Sequence, residues 1–263
     1  MKFTHGYWLL RNGVKALYPQ HAYEVETTAD TLTVYAPTKR ITRRGDVLNQ
    51  AVLTVEFSSP LPDVIRVKLT HFAGEQLKPP HFELGEQRPE VVIKTDPQAA
   101  FLTSGCLAVR VPRDDHWRVE FVADDQVITT SGLRGMGLIE FDGATYLHEQ
   151  LSLSVGECVY GLGERFTAFV KNGQVVDIWN QDGGTASEQT YKNIPFYLTN
   201  HGYGVFVNHP EQVSFEVASE KVERVQFSVA GQTLEYFVIY GPTPKEVLEK
   251  YTALTGRPAL PPP

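Results

Sequence analysis

The hexapeptide WNQDGG at residues 179–184 combines side chains that could contact a ligand. Its tryptophan offers a flat apolar face, and its carboxylate can accept hydrogen bonds from two hydroxyl groups at once. Its two consecutive glycines let the backbone bend without steric cost, which is typical of a loop and not of a strand. An Asp-Gly turn does not need a tryptophan beside it, so the stretch is either an ordinary turn or a contact loop.

No self-contained set of catalytic or metal-binding residues can be recognised elsewhere in the chain. It has no glycine-rich phosphate loop of standard spacing, no GxSxG nucleophile elbow and no HExxH motif. Its eight histidines are scattered, and none stands at metal-ligand spacing from another histidine or a cysteine. Paired carboxylates cannot be assigned from spacing, because their separation is a tertiary property. We therefore predict no catalytic residue, no metal and no cofactor.

The charge and hydropathy of the chain argue against two classes of partner. The formal net charge is −7, and no basic stripe of the kind that a nucleic-acid binder needs is present. Asp46 follows the short basic run at residues 39–44 and partly offsets its charge. Such a run is typical of a solvated loop. No apolar run reaches the length of a membrane span, and Arg11 interrupts the only candidate signal segment. We expect no nucleic-acid or membrane partner and a cytoplasmic location.

Short apolar or alternating segments, each bounded by Pro, Gly, Asp or Asn, predict β-strands through most of the chain. Residues 197–210 predict a hairpin that turns at 200–202, and the segments 225–229 and 234–240 predict a second one. Long helical segments are missing from most of the chain, so we predict an all-β fold, an antiparallel β-sandwich. The clearest strands are TLTVYA (31–36), AVLTVEFSS (51–59), VIRVKLTHF (64–72), EVVIKT (90–95), LAVRV (107–111) and WRVEFVA (117–123).

One helix is predicted near the end of the chain. Thr243 and Glu246 have the spacing of a capping box, with Pro244 at the first helical position. Apolar residues at helical spacing follow, and Gly256 predicts a left-handed cap. The two cysteines, Cys106 and Cys158, are too few for a disulfide framework.

The segment RPALPPP at residues 257–263 cannot continue a helix or a central strand, so it is interpreted as a linker. We therefore expect the chain to be the amino-terminal part of a longer protein. The predicted organisation is a sandwich at residues 1–242, followed by a junction helix and proline-rich linker at residues 243–263.

Four motifs in a fixed order resemble the amino-terminal β-sandwich domain of glycoside hydrolase family 31. They are YGLGERF (160–166), WNQDGG (179–184), YKNIPFYLTN (191–200) and GYGVFVNHP (202–210). Within the family the chain is most similar to bacterial α-xylosidases. The strong resemblance covers residues 150–263, and GYWLL and HFELG are looser matches before it. The resemblance implies a galactose mutarotase-like supersandwich.

The resemblance also implies a catalytic (β/α)8 barrel after the linker. In relatives the nucleophile and the general acid are aspartates on loops of that barrel, so this chain alone is expected to be inactive. The implied reaction is the retaining hydrolysis of terminal α-xylosides through a glycosyl-enzyme intermediate. The implied partners are a carbohydrate and the protein's own barrel, and a homo-oligomer is left open.

In relatives a loop of the sandwich reaches over the mouth of the barrel, and the resemblance maps that loop onto residues 179–184. Asp182 matches the acid that hydrogen-bonds sugar hydroxyl groups in relatives. Trp179 is either a stacking plate for the sugar or a residue that packs the base of the loop. Phe166 is a third candidate contact, at the entrance of the site.

The neighbouring motif residues are interpreted mainly as structural. Glu164 and Arg165 are expected to form an ion pair with each other. Lys192 and Asn193 are expected to support the loop, and not to bind sugar.

Three other functions stay open. An α-glucosidase has the same fold and a related Asn-x-Asp loop, and substrate choice depends largely on the barrel. A stand-alone carbohydrate-binding module is a second alternative, although Trp179 is the only tryptophan beside the loop. An isolated epimerase is a third, but no pair of His and Glu has motif support.

Overall fold

A computed structural model describes residues 1–75, 78–181 and 187–260, and β-strands make up most of its regular structure. A 3-10 helix spans Arg44–Val47, and an α-helix, α1, spans Pro244–Thr255. The strands are β1 (Thr4–His5), β2 (Leu9–Leu10), β3 (Lys15–Leu17), β4 (Glu24–Thr27), β5 (Leu32–Pro37), β6 (Val52–Ser58), β7 (Val64–Thr70), β8 (Val92–Thr95), β9 (Ala99–Ser104), β10 (Leu107–Pro112), β11 (Val119–Ala123), β12 (Gln126–Ser131), β13 (Gly137–Phe141), β14 (Ala144–Ser152), β15 (Val159–Gly161), β16 (Gln174–Ile178), β17 (Phe196–Thr199), β18 (Tyr203–Val207), β19 (Val213–Val217), β20 (Arg224–Ala230) and β21 (Thr233–Tyr240).

Two large sheets form the sandwich. The larger sheet runs in the order β16-β19-β20-β14-β12-β11-β10-β9-β8, with β13 and β3 attached beside β14. The smaller sheet runs in the order β15-β17-β18-β21-β7-β6-β5-β4, and β1 and β2 form a separate pair. Every strand pairing among the described residues is antiparallel. The predicted all-β antiparallel sandwich is therefore confirmed.

The core lies between the two sheets and follows from the alternation in the sequence. In β6, Leu53, Val55 and Phe57 are fully buried, whereas the residues between them are only half-buried. Successive strand side chains point to opposite faces, so this pattern sends one set of side chains towards the other sheet. Inward side chains of both sheets meet in one apolar cluster, where each buried aliphatic residue contributes roughly 1.5–3 kcal/mol.

Strand β21 is buried on both of its faces. Alternate residues belong to the core between the sheets, whereas Phe237 points outward into a second apolar cluster. Helix α1 covers this outer face and buries Val247 and Leu254 completely. The ring of Tyr251 stacks on Phe196, with the ring centroids 4.0 Å apart. The helix is therefore packed onto the outer face of the smaller sheet.

The capping box at the start of α1 is confirmed. The Thr243 hydroxyl accepts the backbone N–H of Glu246, and the Glu246 carboxylate accepts the Thr243 backbone N–H at 3.0 Å. Gly256 ends the helix with φ 107° and ψ 139°, so the predicted left-handed helical cap is wrong, although the positive φ still favours glycine. No helix within the described residues is long and apolar enough to cross a membrane.

One of the two predicted hairpins is correct. Strands β17 and β18 pair across the turn at residues 200–202. Strand β20 instead pairs with β14 and β19 in the larger sheet, while β21 pairs with β18 and β7 in the smaller one. The short connection between β20 and β21 therefore crosses from one sheet to the other. A short loop between two apolar strands is compatible with either arrangement, which is why this hairpin prediction is wrong.

Candidate functional site

The motif residues of the second half of the chain gather where the backbone passes between the sheets. Strand β16 is the outermost strand of the larger sheet, and β17 lies next to the outermost strand of the smaller one. Val176 and Ile178 bury alternate side chains and hold β16 in place up to its last residue. The connection at residues 179–195 therefore has its two ends fixed by two different sheets.

Asn193 joins the two ends of this connection. Its side-chain Nδ2 donates to the Trp179 carbonyl at 2.9 Å, to Asn180 Oδ1 at 3.0 Å and to the Thr190 carbonyl at 2.8 Å. The backbone N–H of Gln181 also donates to the Thr190 carbonyl at 2.9 Å. The start and the end of the loop are thus tied together immediately beside residues 182–186. The predicted supporting role of Asn193 is confirmed at the base of the loop.

Hydrogen bonds from Arg165 connect the base of this loop to both sheets. Its guanidinium donates to the carbonyls of Leu162 at 3.0 Å, Glu188 at 2.9 Å and Asp177 at 2.8 Å, and also to Asn193 Oδ1. The planar guanidinium presents five N–H donors in a fixed geometry, which suits convergence on several carbonyl oxygens. Burial lowers the pKa of Arg165 from its usual value, but an arginine stays protonated in proteins. Its charge is therefore directed at backbone carbonyls and not at a carboxylate.

The predicted ion pair between Glu164 and Arg165 is wrong. Glu164 Oε2 instead lies 2.7 Å from Lys192 Nζ, and both side chains are exposed. Neighbouring residues of an extended segment point to opposite sides, so Glu164 faces solvent while Arg165 turns inward. The hydrogen bond that Lys192 donates to Glu164 raises the pKa of Lys192. An exposed pair of this kind adds little stability.

The glycines of the YGLGERF motif allow this close packing of backbones. A Cβ on Gly163, where φ is 92°, would lie 2.2 Å from the Lys192 carbonyl oxygen. A Cβ on Gly161 would lie 2.8 Å from the Phe196 carbonyl oxygen. A Cβ atom does not approach a carbonyl oxygen this closely, so only glycine fits at either position. Both glycines therefore allow a close approach between backbone segments.

A buried lysine that sequence reasoning missed fixes the turn after Phe166. Lys171 Nζ donates to the Thr167 hydroxyl at 3.0 Å and to the Ala168 carbonyl at 2.7 Å. The Lys171 side chain is almost fully buried, and burial lowers its pKa. The turn presents the exposed rings of Phe166 and Phe169 to solvent.

Of the three predicted contact residues, Trp179 and Phe166 lie in the described part of the chain, and they do not line the same cleft. Trp179 is 52% exposed, and Phe166 is 60% exposed. Trp179 lines an open cleft, whereas Phe166 is not among the residues that line it. Asp182, Gly183 and Gly184 lie outside the described residues.

The cleft beside Trp179 has a volume of about 510 Å³, which is within the usual range for ligand sites. Asn180, Asn193 and Asn208 contribute amide groups to its lining, and two aromatic rings beside Trp179 also line it, those of Phe82 and Phe206. Sequence reasoning missed Phe82 as a site residue. The only available signal was that the HFELG segment at residues 81–85 matches the family weakly.

Comparison with known proteins places these features in a family. A family model described as the glycosyl hydrolase 31 N-terminal galactose mutarotase-like domain matches residues 53–216. The α-xylosidase XylQ of Lactiplantibacillus pentosus is 50% identical over 264 aligned residues, which cover 100% of this chain and 34% of that protein. An α-xylosidase of Emericella nidulans is 43% identical over 284 aligned residues, covering 100% of this chain and 36% of that protein. The chain thus spans about a third of the length of these curated relatives.

Solved structures share the same fold at low sequence identity. A dextranase of Flavobacterium johnsoniae has a TM-score of 0.77 at 19% identity, over 93% of this chain and 29% of that one. An α-xylosidase from a soil metagenome, solved with xylose, has a TM-score of 0.69 at 16% identity, over 89% of this chain and 34% of that one. At such identities the similarity concerns the fold alone.

Proposed function

The chain belongs to the glycosyl hydrolase 31 N-terminal galactose mutarotase-like family, and from this membership we propose that it is the non-catalytic amino-terminal domain of an α-xylosidase. The observation that carries the proposal is the similarity to α-xylosidases along the whole chain. In the proposed enzyme the chain acts on carbohydrate together with its own catalytic barrel. The reaction is the retaining hydrolysis of terminal α-xylosides, for which the barrel supplies two carboxyl groups.

The role proposed for this domain is to supply one wall of the substrate pocket through the loop at residues 179–184. Asp182 accepts hydrogen bonds from sugar hydroxyl groups, and Trp179 offers its exposed ring beside them. The hydrogen bonds of Asn193 and Arg165 support this role, because they fix both ends of the loop. A loop that starts and ends at fixed points can hold a polar group in the geometry that catalysis requires.

The proposed domain organisation is a sandwich at residues 1–242 and a junction helix with linker at residues 243–263. The stacking of Tyr251 on Phe196 supports the junction role of α1, because the helix is held against the smaller sheet. The chain that follows Gly256 therefore leaves the sandwich from a defined position. A catalytic barrel attached there would start from a fixed point relative to the loop at residues 179–184.

An assay of two proteins side by side tests this proposal. Residues 1–263 and the longer gene product would each be incubated with p-nitrophenyl α-xyloside and p-nitrophenyl α-glucoside. We expect turnover by the longer product only, with a higher kcat/KM for the xyloside. A preference for the glucoside would favour the α-glucosidase alternative. Turnover by residues 1–263 alone would contradict the proposal, because the catalytic residues would then lie in this chain.

The cytoplasmic location stays a prediction, and the oligomeric state stays open. Fractionation of the source cells and light scattering of the longer gene product would measure them.

A further inference from the structure

The outer face of the smaller sheet carries a second cleft that the loop at residues 179–195 does not line. Its volume is about 370 Å³, and Arg66, Glu235 and Phe82 are among the residues that line it. The segment at residues 82–89 forms one side of this cleft as it crosses the face of the sheet. Two backbone hydrogen bonds anchor the segment, one from Gly85 to the Leu254 carbonyl at 2.7 Å and one from Gln87 to the Pro60 carbonyl at 2.8 Å.

Three side chains, those of Arg66, Glu235 and Asn208, form a fixed polar group in this cleft. Arg66 Nε donates to Glu235 Oε2 at 2.7 Å, and Asn208 Nδ2 donates to Glu235 Oε1 at 2.7 Å. Both carboxylate oxygens are therefore held in place. A carboxylate has about four acceptor positions and a guanidinium has five N–H donors, so the group can still accept from and donate to a ligand. The amide of Asn208 adds a further acceptor oxygen.

The charges around the cleft nearly cancel, which favours a neutral ligand. Acidic Asp30, Glu86 and Glu235 face basic Arg66 and Arg88. Arg66 forms an ion pair with Glu235, and Arg88 Nε lies 3.3 Å from Glu86 Oε2. An ionic ligand would have to compete with these internal pairs. A neutral molecule with several hydroxyl groups can hydrogen-bond to both members of a pair without breaking it.

Phe82 adds an exposed apolar face to the polar group. Its side chain is 70% exposed, and it lines both this cleft and the cleft beside Trp179. The flat apolar face of a sugar ring can stack on this aromatic ring, which is otherwise exposed to water. Because Phe82 and Asn208 line both clefts, a ligand of more than one sugar unit can extend from Trp179 towards Glu235.

We propose that Phe82, Arg66, Glu235 and Asn208 form a second binding site on this domain for a neutral sugar residue of an oligosaccharide. The site is continuous with the cleft beside Trp179 but does not involve residues 179–184. It holds its ligand by binding alone, with no chemical step. The proposal concerns the affinity of residues 1–263 for sugar and does not depend on the catalytic activity of a longer protein.

Calorimetric titration with the disaccharide α-xylosyl-(1→6)-glucose tests the proposal. We expect saturable binding by the unaltered chain. Phe82→Ala should raise the Kd about tenfold, which corresponds to a loss of about 1.4 kcal/mol in the free energy of binding. Glu235→Gln should raise the Kd by a similar factor. Phe72→Ala is the matched control, because Phe72 is 61% exposed and is absent from the residues that line either cleft. Its Kd should equal that of the unaltered chain.

Nuclear magnetic resonance of the ¹⁵N-labelled chain locates the ligand. We expect the disaccharide to shift the side-chain amide of Asn208 and the backbone amide of Glu235. Glucuronate, an anionic sugar, should bind more weakly than glucose. The proposal is overturned by the absence of saturable binding at millimolar sugar, by an unchanged Kd for Phe82→Ala, or by tighter binding of glucuronate. Loss of binding in the longer gene product would also overturn it, because another segment would then occupy the cleft.

Discussion

Arg165 donates a hydrogen bond to the side-chain oxygen of Asn193, which lies 28 residues further along the chain. The two side chains form one unit, because Arg165 binds carbonyls on both sides of the loop while Asn193 closes its base. Neither side chain needs to touch a ligand for this arrangement to matter. The arrangement fixes the described residues on either side of the loop, Trp179 at its start and Thr190 at its end.

Asn193→Ala should loosen the loop while leaving the sandwich folded. The substitution removes the donor to the Trp179 carbonyl and to Asn180 Oδ1, which water can replace at these exposed positions, so we expect a cost of about 0.5–1.5 kcal/mol in the free energy of unfolding. In the longer gene product kcat/KM should fall by more than tenfold. Urea unfolding and steady-state kinetics measure the two effects. Asn12→Ala, at an exposed turn, is the control and should change neither quantity. An unchanged kcat/KM for Asn193→Ala would show that the loop does not depend on this side chain.

Asp182→Ala tests whether the loop contacts substrate. In the longer gene product we expect kcat/KM on the xyloside to fall by an amount equivalent to about 1–3 kcal/mol of transition-state binding. The free energy of unfolding should stay within about 0.5 kcal/mol of its original value, because the role proposed for Asp182 is contact with substrate and not packing in the core. Glu164→Gln removes an exposed carboxylate of the same region and should leave kcat/KM unchanged. Equal rates for Asp182→Ala and the unaltered enzyme would contradict the contact.

Two adjacent buried residues of β14 should have opposite effects on the pH dependence of stability. Burial raises the pKa of Glu149 to about 7, and Ser131 and Tyr236 donate hydrogen bonds to its carboxyl oxygens. Burial lowers the pKa of His148 to about 4. The stability linked to Glu149 is complete below its unfolded pKa and is lost as the pH rises through about 7. The stability linked to His148 is complete above its unfolded pKa and is lost as the pH falls through about 4.

Between about pH 4.5 and 6.5 these two contributions should largely cancel in the unaltered chain. Glu149→Gln removes one of them, so the free energy of unfolding should then decrease as the pH falls across this window, by on the order of 2 kcal/mol. His148→Gln should show the opposite slope. Urea unfolding at three pH values within the window measures both variants. A flat profile for Glu149→Gln would mean that His148 does not titrate as its burial requires.

Leu254→Ala should destabilise the packing of α1 on the smaller sheet. Leu254 is fully buried, so truncating it should cost about 2–5 kcal/mol in the free energy of unfolding. Leu248 lies on the same helix but is 42% exposed, so Leu248→Ala should cost clearly less. Urea unfolding compares the two variants. Similar losses for both would show that the helix is not held by its buried face.

Local features of this protein were predictable from its sequence because they depend on neighbouring residues. The alternation of Leu53, Val55 and Phe57 predicted a strand with one buried face, and the structure has that strand. Thr243 and Glu246 predicted the start of α1, since a capping box involves only the first turn of a helix. The order of the motifs at residues 160–210 was enough to identify the family.

The tertiary structure alone decided which segments meet. A period of two tells which face of a strand is buried but not which strand it pairs with, so β20 and β21 were wrongly predicted as a hairpin. Arg165 and Glu164 are neighbours in sequence, yet they point to different partners because the extended backbone separates their side chains. The HFELG segment around Phe82 matches the family only weakly. The place of Phe82 between two clefts results from the path of residues 82–89 over a sheet whose strands come from distant parts of the sequence.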